Sequence, residues 1–198
     1  MIKKIKGNIF NTKCQTLVNT VNCIGVMGKG MALECKLRFP EMFIKYKDYC
    51  DKKLFKPGYL QLYKNSKPWI LNFPTKIHWK DPSKIEYLEE GLKKFQDEYL
   101  NKNIKSIAFP LLGASLGGLS EELVYKTMTK YLEPLNNINI EIYEYDYMAS
   151  DNLFDIFYNN VSDFTVEDYK LLLKLNKTAA ENLKNAIDGK SVKSMLGI

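Results

Sequence analysis

The 198-residue sequence is short of the side chains from which many sites are built: one histidine, His78, one arginine, Arg38, and four cysteines. Cys14, Cys23, Cys35 and Cys50 contain no Cys-x-x-Cys pair and His78 has no histidine partner, so neither zinc nor a disulfide framework is expected. No apolar run approaches the roughly 18 residues of a membrane span. The start, Met1-Ile2-Lys3-Lys4, lacks the apolar core of a signal peptide, and the expectation is a cytoplasmic protein with no membrane partner. Internal repeats and low-complexity linkers are missing as well. The run Gly25–Gly30 is no Walker A loop, because no Gly-Lys-Ser/Thr closes it, and Gly25-x-x-Gly28-x-Gly30 has the wrong order for the dinucleotide fingerprint.

What is present describes a folding globular chain. Apolar residues at 45% and charged residues at 26% exclude wholesale disorder and fibrous architectures. The length suits one main domain with an appendage. The net charge of +6 is almost wholly lysine, scattered rather than blocked. That reads as a solvated surface mildly attractive to anions, nucleic acid among them.

Short β-branched runs predict strands at Ile2–Lys6, Thr16–Asn22, Gly58–Tyr63, Trp69–Phe73, Ser106–Pro110 and Ile140–Tyr145. Apolar residues every three or four positions predict helices at Met31–Phe39, Glu41–Lys53, Lys84–Tyr99 and Glu121–Leu132. Ser83 with Glu86 reads as a capping box, and Ser120 as the cap of the last of these helices. The alternation predicts an α/β layer structure with a largely parallel sheet, with function in the loops after the strands. It stops near residue 150, dividing the chain into a main domain, 1–149, and a helical C-terminal tail, 150–198. In the tail Thr165–Ile187 reads as one helix, capped by Thr165 with Asp168 and followed by Gly189, expected to pack on the main domain or to dock a partner.

Two segments repeat one logic of strand, glycine loop and helix. In Leu17–Leu33 the loop is Gly25-Val26-Met27-Gly28-Lys29-Gly30; in Ile107–Leu119 it is Gly113-Ala114-Ser115-Leu116-Gly117-Gly118-Leu119. Glycine lets backbone N–H groups turn toward an anion, and a helix N-terminus adds partial positive charge. One such loop reads equally well as a tight structural turn. Two at the ends of neighbouring strands suit a diphosphate gripped from both sides.

Over residues 1–147 these features, with Gly7-Asn8-Ile9, Val18-Asn19-Thr20-Val21-Asn22, Gly28-Lys29-Gly30, Asn72-Phe73-Pro74-Thr75-Lys76-x-His78-Trp79 and Gly113-x-x-Leu116-Gly117-Gly118-Leu119, resemble macrodomains of the DarG type. The resemblance implies a three-layer α/β/α sandwich with a mixed sheet, binding ADP-ribose across its crest and removing it from a DNA base that a DarT-type toxin has modified. The substrate would be single-stranded DNA or a flipped base, and no metal or redox cofactor is implied. A relative, the terminal ADP-ribose protein glycohydrolase, acts on protein carboxylates.

By position, the resemblance puts Asn8 and Ile9 at the adenine and Asn22 at the distal ribose. Asn8 stands where many macrodomains have aspartate. The two glycine loops surround the diphosphate, and Tyr145 at the end of the last strand covers the adenine. Asn22 also reads as a plain turn residue. Lys76, expected on the connection after Trp69–Phe73, is the catalytic candidate, as a nucleophilic amine or as a charge stabilising the departing base; the blander reading is a surface lysine. His78 and Trp79 are candidate contacts to DNA or its base, or else a loop brace and a core cover. The paired carboxylates of glycosidases occur in neither glycine loop, and Gly117 stands where the protein-directed relative has an aspartate. A nucleobase leaves with less acid help than an alkoxide, which favours DNA. The rival readings are a non-catalytic ADP-ribose reader, a hydrolase of protein-linked esters or O-acetyl-ADP-ribose, and plain nucleic-acid binding through lysines.

Overall fold

The computed structural model describes residues 1–146 and 148–195. Residues 147 and 196–198 of the expected tail and its junction lie outside the described residues. The chain separates into two compact units, one of residues 1–145 and one beginning at Asp146.

The first unit runs β1 (Ile2–Gly7), β2 (Thr16–Asn22), α1 (Gly30–Arg38), α2 (Pro40–Asp51), β3 (Gln61–Tyr63), β4 (Trp69–Lys76), α3 (Ile85–Glu98), β5 (Ser106–Pro110), α4 (Glu121–Leu132) and β6 (Asn139–Tyr145). The strands form one mixed sheet in the order β1-β6-β5-β2-β4-β3, parallel throughout except for β3. Central β2 reads as a nearly continuous buried run because helices cover both faces of the sheet. Alternation divides its side chains: Leu17 and Val21 join Ile70, Cys35, Met42 and Tyr46 on the α1/α2 side. Val18 joins Phe73, Leu92, Phe95, Phe109 and Met128 on the α3/α4 side. The result is the expected three-layer α/β/α sandwich. Gly91 is what lets α3 lie so close to the sheet, since a β-carbon there would stand 2.2 Å from the Phe73 ring.

Several boundaries differ from expectation for local reasons. The strand predicted from Gly58 begins at Gln61, because Gly58 adopts φ +76° and the Tyr59 N–H closes a turn onto the Lys56 carbonyl. The strand predicted to end at Phe73 continues to Lys76, with Pro74 paired to Val21 where the ladder gives way to a bulge. Between Val21–Pro74 and Asn22–Lys76 the register slips by one residue, Thr75, and Lys76 comes to lie opposite Asn22. Lys76 is therefore the last residue of a strand, not part of a free connection.

In the second unit α5 (Asn152–Val161), α6 (Val166–Leu172) and α7 (Lys177–Asp188) surround a small core of Val161, Tyr169 and Ala180. The single helix expected over Thr165–Ile187 is two. Its capping box at Thr165 and Asp168 forms, but Lys174 turns left-handed at φ +56° and Asn176 caps a new helix by accepting from the Ala179 N–H at 2.9 Å. No helix of the described residues is long and apolar enough to cross a membrane.

Candidate functional site

The carboxyl ends of β1, β6, β5, β2 and β4 lie side by side along one edge of the sheet. In that order they carry Gly7-Asn8-Ile9, Tyr145, the loop Gly113–Leu119, the loop Gly25–Gly30, and Lys76. At the usual spacing of neighbouring strands, four steps make a row about 19 Å long. The fold thus lines up the expected residues from one end of a crest to the other.

The first loop is shaped from within by Asn22. Its side-chain oxygen accepts from the N–H groups of Ile24 at 3.1 Å and Val26 at 3.2 Å, and its amide nitrogen donates to the Val26 carbonyl. One amide hydrogen remains for a ligand. Gly25, at φ +83°, closes the turn where a β-carbon would lie 3.4 Å from that of Cys50. Beneath the loop, the Tyr46 hydroxyl donates to the Asn22 carbonyl at 2.7 Å. Burial pushes the Tyr46 hydroxyl well up, the Cys23 thiol up to about 12, with Cys50 adding to it, and the Cys50 thiol up to about 11. All three stay neutral at physiological pH, so Tyr46 remains a donor and neither thiol is a nucleophile. The N–H groups of Met27, Gly28 and Lys29 make no hydrogen bond among the described residues, and Lys29 supplies no side-chain cap to α1. The loop therefore ends at a helix N-terminus in N–H groups that no described residue engages.

The second loop holds itself with four of its own amides. Ala114 donates to Leu111, Gly117 to Ala114, Gly118 to Ser115 and Leu119 to Gly113. Gly113, Ser115 and Gly118 adopt positive φ, the left-handed conformation that anion-binding turns combine with right-handed neighbours. The N–H groups of Gly113, Ser115 and Leu116 make no bond among the described residues and are the donors this loop can offer. The loops touch where the Leu116 side chain reaches within 3.1 Å of the place a Gly30 β-carbon would occupy.

The end of β4 and the segment after it clamp the second loop at adjacent carbonyls. The Lys76 Nζ donates to the Leu116 carbonyl at 2.7 Å, and the Ser83 N–H to that of Gly117 at 2.9 Å. Ser83, expected to cap a helix, does not: α3 is preceded by Lys84, without a side-chain cap, and Ser83 is instead buried as a wedge under the loop. A β-carbon on Gly113 would lie 2.8 Å from the Ser83 β-carbon, and one on Gly117 2.5 Å from its Oγ. Position 117 is glycine because Ser83 fills the space a side chain would need.

At the far end of the row, Asn8 caps the short turn Ile9–Asn11 by accepting from the Phe10 N–H at 3.0 Å, so its oxygen keeps one lone pair and its amide nitrogen two hydrogens. Tyr145, half exposed, is in register with Gly7 beside it. Past Lys76, His78 and Trp79 sit on a turn closed by the Asp81 N–H on the His78 carbonyl. The one arginine is committed elsewhere, paired with buried Glu34 at 2.7 Å and lying over the Phe10 ring. Among the described residues no group of three His, Cys, Asp or Glu side chains is placed to hold a metal. Sequence reasoning missed the Ser83 wedge and the Tyr46 support; Ser83 did carry a signal, an apparent cap motif, with a different meaning.

The chain is similar to several known proteins. The DNA ADP-ribosyl glycohydrolase of Thermus aquaticus is 39% identical over 148 residues, covering 73% of this chain and 41% of that protein. The solved macrodomain of Thermus aquaticus DarG superimposes with a TM-score of 0.69 at 39% identity, covering 73% of this chain and 98% of that one. Thermosipho africanus DarTG in complex with ADP-ribose gives 0.69 at 35% identity, covering 78% and 44%. The chain spans about two fifths of the length of the curated relative it matches. Residues 18–128, more than half of the chain, match the model of the Macro domain, and the chain belongs to the macro domain family.

Proposed function

We propose that this protein binds ADP-ribose along the crest and hydrolyses its N-glycosidic link to a DNA base, reversing the modification made by a DarT-type transferase. The observation that carries the reading is the position of Lys76: the end of β4 is the last station of the row, and the amine hangs over the rim of the second glycine loop. The name and activity of the Thermus aquaticus relative, and the ADP-ribose bound by the Thermosipho africanus one, support it.

In this reading the adenine lies against Asn8 and Ile9 under Tyr145. The diphosphate takes the open amides of Met27–Gly30 and of Gly113, Ser115 and Leu116. The distal ribose lies between Asn22 and Lys76, Asn22 acting mainly by holding its loop. Hydrolysis breaks the bond from the anomeric carbon to the base nitrogen, which leaves with the electron pair and takes a proton; the oxygen of water bonds to the carbon. A base delocalises that charge, so no carboxylate is needed beside the leaving group.

The test is to incubate the protein with oligonucleotides ADP-ribosylated on thymine or on guanine, and in parallel with ADP-ribosylated protein esters, and to weigh the products. Free ADP-ribose and unmodified oligonucleotide are expected from DNA. Binding of ADP-ribose with no release at any protein concentration would reduce the chain to a reader. Release from esters alone would move the activity to protein.

A further inference from the structure

The proposed ligand row ends at Lys76, and the segment 77–84 lies immediately beyond it, where the leaving group must go. There, exposed Ile77 and Trp79 are interleaved with Lys76, His78, Lys80 and Lys84, and Asp81 is the only acid. Trp79 is 49% exposed yet held in place. The His78 ring stacks on the indole with centroids 5.6 Å apart and planes 27° apart, and the Lys80 ammonium lies 5.1 Å from the indole centre. The turn is fixed twice, by the Lys80 N–H on His78 Nδ1 at 3.2 Å and by the Asp81 N–H on the His78 carbonyl at 3.1 Å. Exposed Ile24 and Val26 extend the apolar rim across the first loop, joined to this segment by the Cys23 N–H on the Ile77 carbonyl at 2.9 Å.

A large flat apolar side chain kept half in water on a rigid turn, with cations on both sides in sequence, fits a partner that is flat, apolar and anionic by turns. We infer that Trp79 is a stacking platform for an unpaired nucleobase of the substrate strand, with Lys80 and Lys84 beside its phosphates. This rests on the site being DNA-directed as proposed above. Bases inside a duplex are stacked on one another and cannot reach an indole, so the platform selects single-stranded or locally opened DNA. Lysines neutralise phosphate as point charges and no arginine reads base edges here, so contact should be tolerant of flanking sequence.

Trp69 is the only other tryptophan and stands at the opposite end of β4, so Trp69→Phe isolates the emission of Trp79. Unmodified oligothymidylate of about eight nucleotides should quench that emission saturably, less as salt rises. Trp79→Ala should raise KM for an ADP-ribosylated oligonucleotide about 10-fold, leave kcat and calorimetric ADP-ribose affinity near wild type, and be rescued by Trp79→Phe. Emission unchanged at saturating oligonucleotide, or a wild-type KM in Trp79→Ala, would overturn the assignment. Loss of the DNA-directed reading itself would look different: the wild type would release no ADP-ribose from the modified oligonucleotide, while quenching by unmodified oligonucleotide would still decide the platform.

Discussion

Replacing Lys76 by alanine is expected to slow release of ADP-ribose from a modified oligonucleotide by about 100- to 1,000-fold, the range found for removing one preorganised electrostatic group from a reacting centre. Binding of ADP-ribose should change far less. The amine donates to the carbonyl of Leu116, in an exposed position where water can replace it. A single such bond contributes about 0.5–1.5 kcal/mol, so thermal stability should fall little. Measuring single-turnover release and calorimetric affinity on the same variant separates the roles: a lysine that only braces the second loop would lower affinity and spare the chemical step. Lys76→Arg divides the two catalytic readings. Guanidinium keeps the charge but stays protonated and cannot attack the anomeric carbon, so partial activity in that variant points to charge stabilisation. Equal loss in both variants, with a covalent adduct seen by mass spectrometry in the wild type, points to the amine as nucleophile.

Gly117→Ala is the second change with a large expected effect, although it adds one carbon. That carbon would be 2.5 Å from the Ser83 Oγ, and even with the hydroxyl rotated away it would press at 3.1 Å on the Ser83 β-carbon, whose buried backbone is tied by its N–H to the Gly117 carbonyl. Overpacking of this kind costs about 1–3 kcal/mol, and the strain falls on the loop proposed to supply diphosphate donors. ADP-ribose affinity should drop at least about 10-fold, the equivalent of 1.4 kcal/mol. Ser83→Gly removes the obstructing atoms, and its hydroxyl takes no hydrogen-bond partner among the described residues, so nothing is lost with it on that score. The double variant should therefore bind better than Gly117→Ala alone, a coupling of about 0.5–3 kcal/mol by double-mutant cycle. Strict additivity of the two changes would show that Ser83 is not the obstacle. The same geometry bears on specificity. A carboxylate at position 117, which the protein-directed route would use, has no room in this frame.

The features legible in the sequence were those whose cause is local. Alternation of β-branched runs with helical periodicity gave the layers, and the glycines announced loops because only they accept positive φ at 25, 113 and 118 without strain. Ser120 and Thr165 cap as their neighbours indicate, since a cap is closed within four residues. Ser83 has the same motif and a different role, because Gly113 and Gly117, some thirty residues on, draw it under the second loop. The extra residue that turns Lys76 toward Asn22 is likewise invisible in one strand, since a bulge is a property of a pair. Asn22 was legible as an important residue and also as a turn residue; the hydrogen bonds to Ile24 and Val26 show that it builds the loop. In the second unit, Leu172 and Leu173 stand at helical spacing from Val166 and Tyr169 and hid the break at Lys174, where an asparagine two residues later could start a helix of its own.

The most direct measurement is a titration of the isotopically labelled protein with ADP-ribose, followed through its backbone amide resonances. The largest shifts are expected together, at Asn8, Ile9 and Tyr145 at one end, at Met27–Gly30, Gly113, Ser115 and Leu116 in the middle, and at Lys76 at the other. Shifts at one glycine loop only, or a crest left unperturbed at saturating ligand, would contradict a single ligand lying across the strand ends.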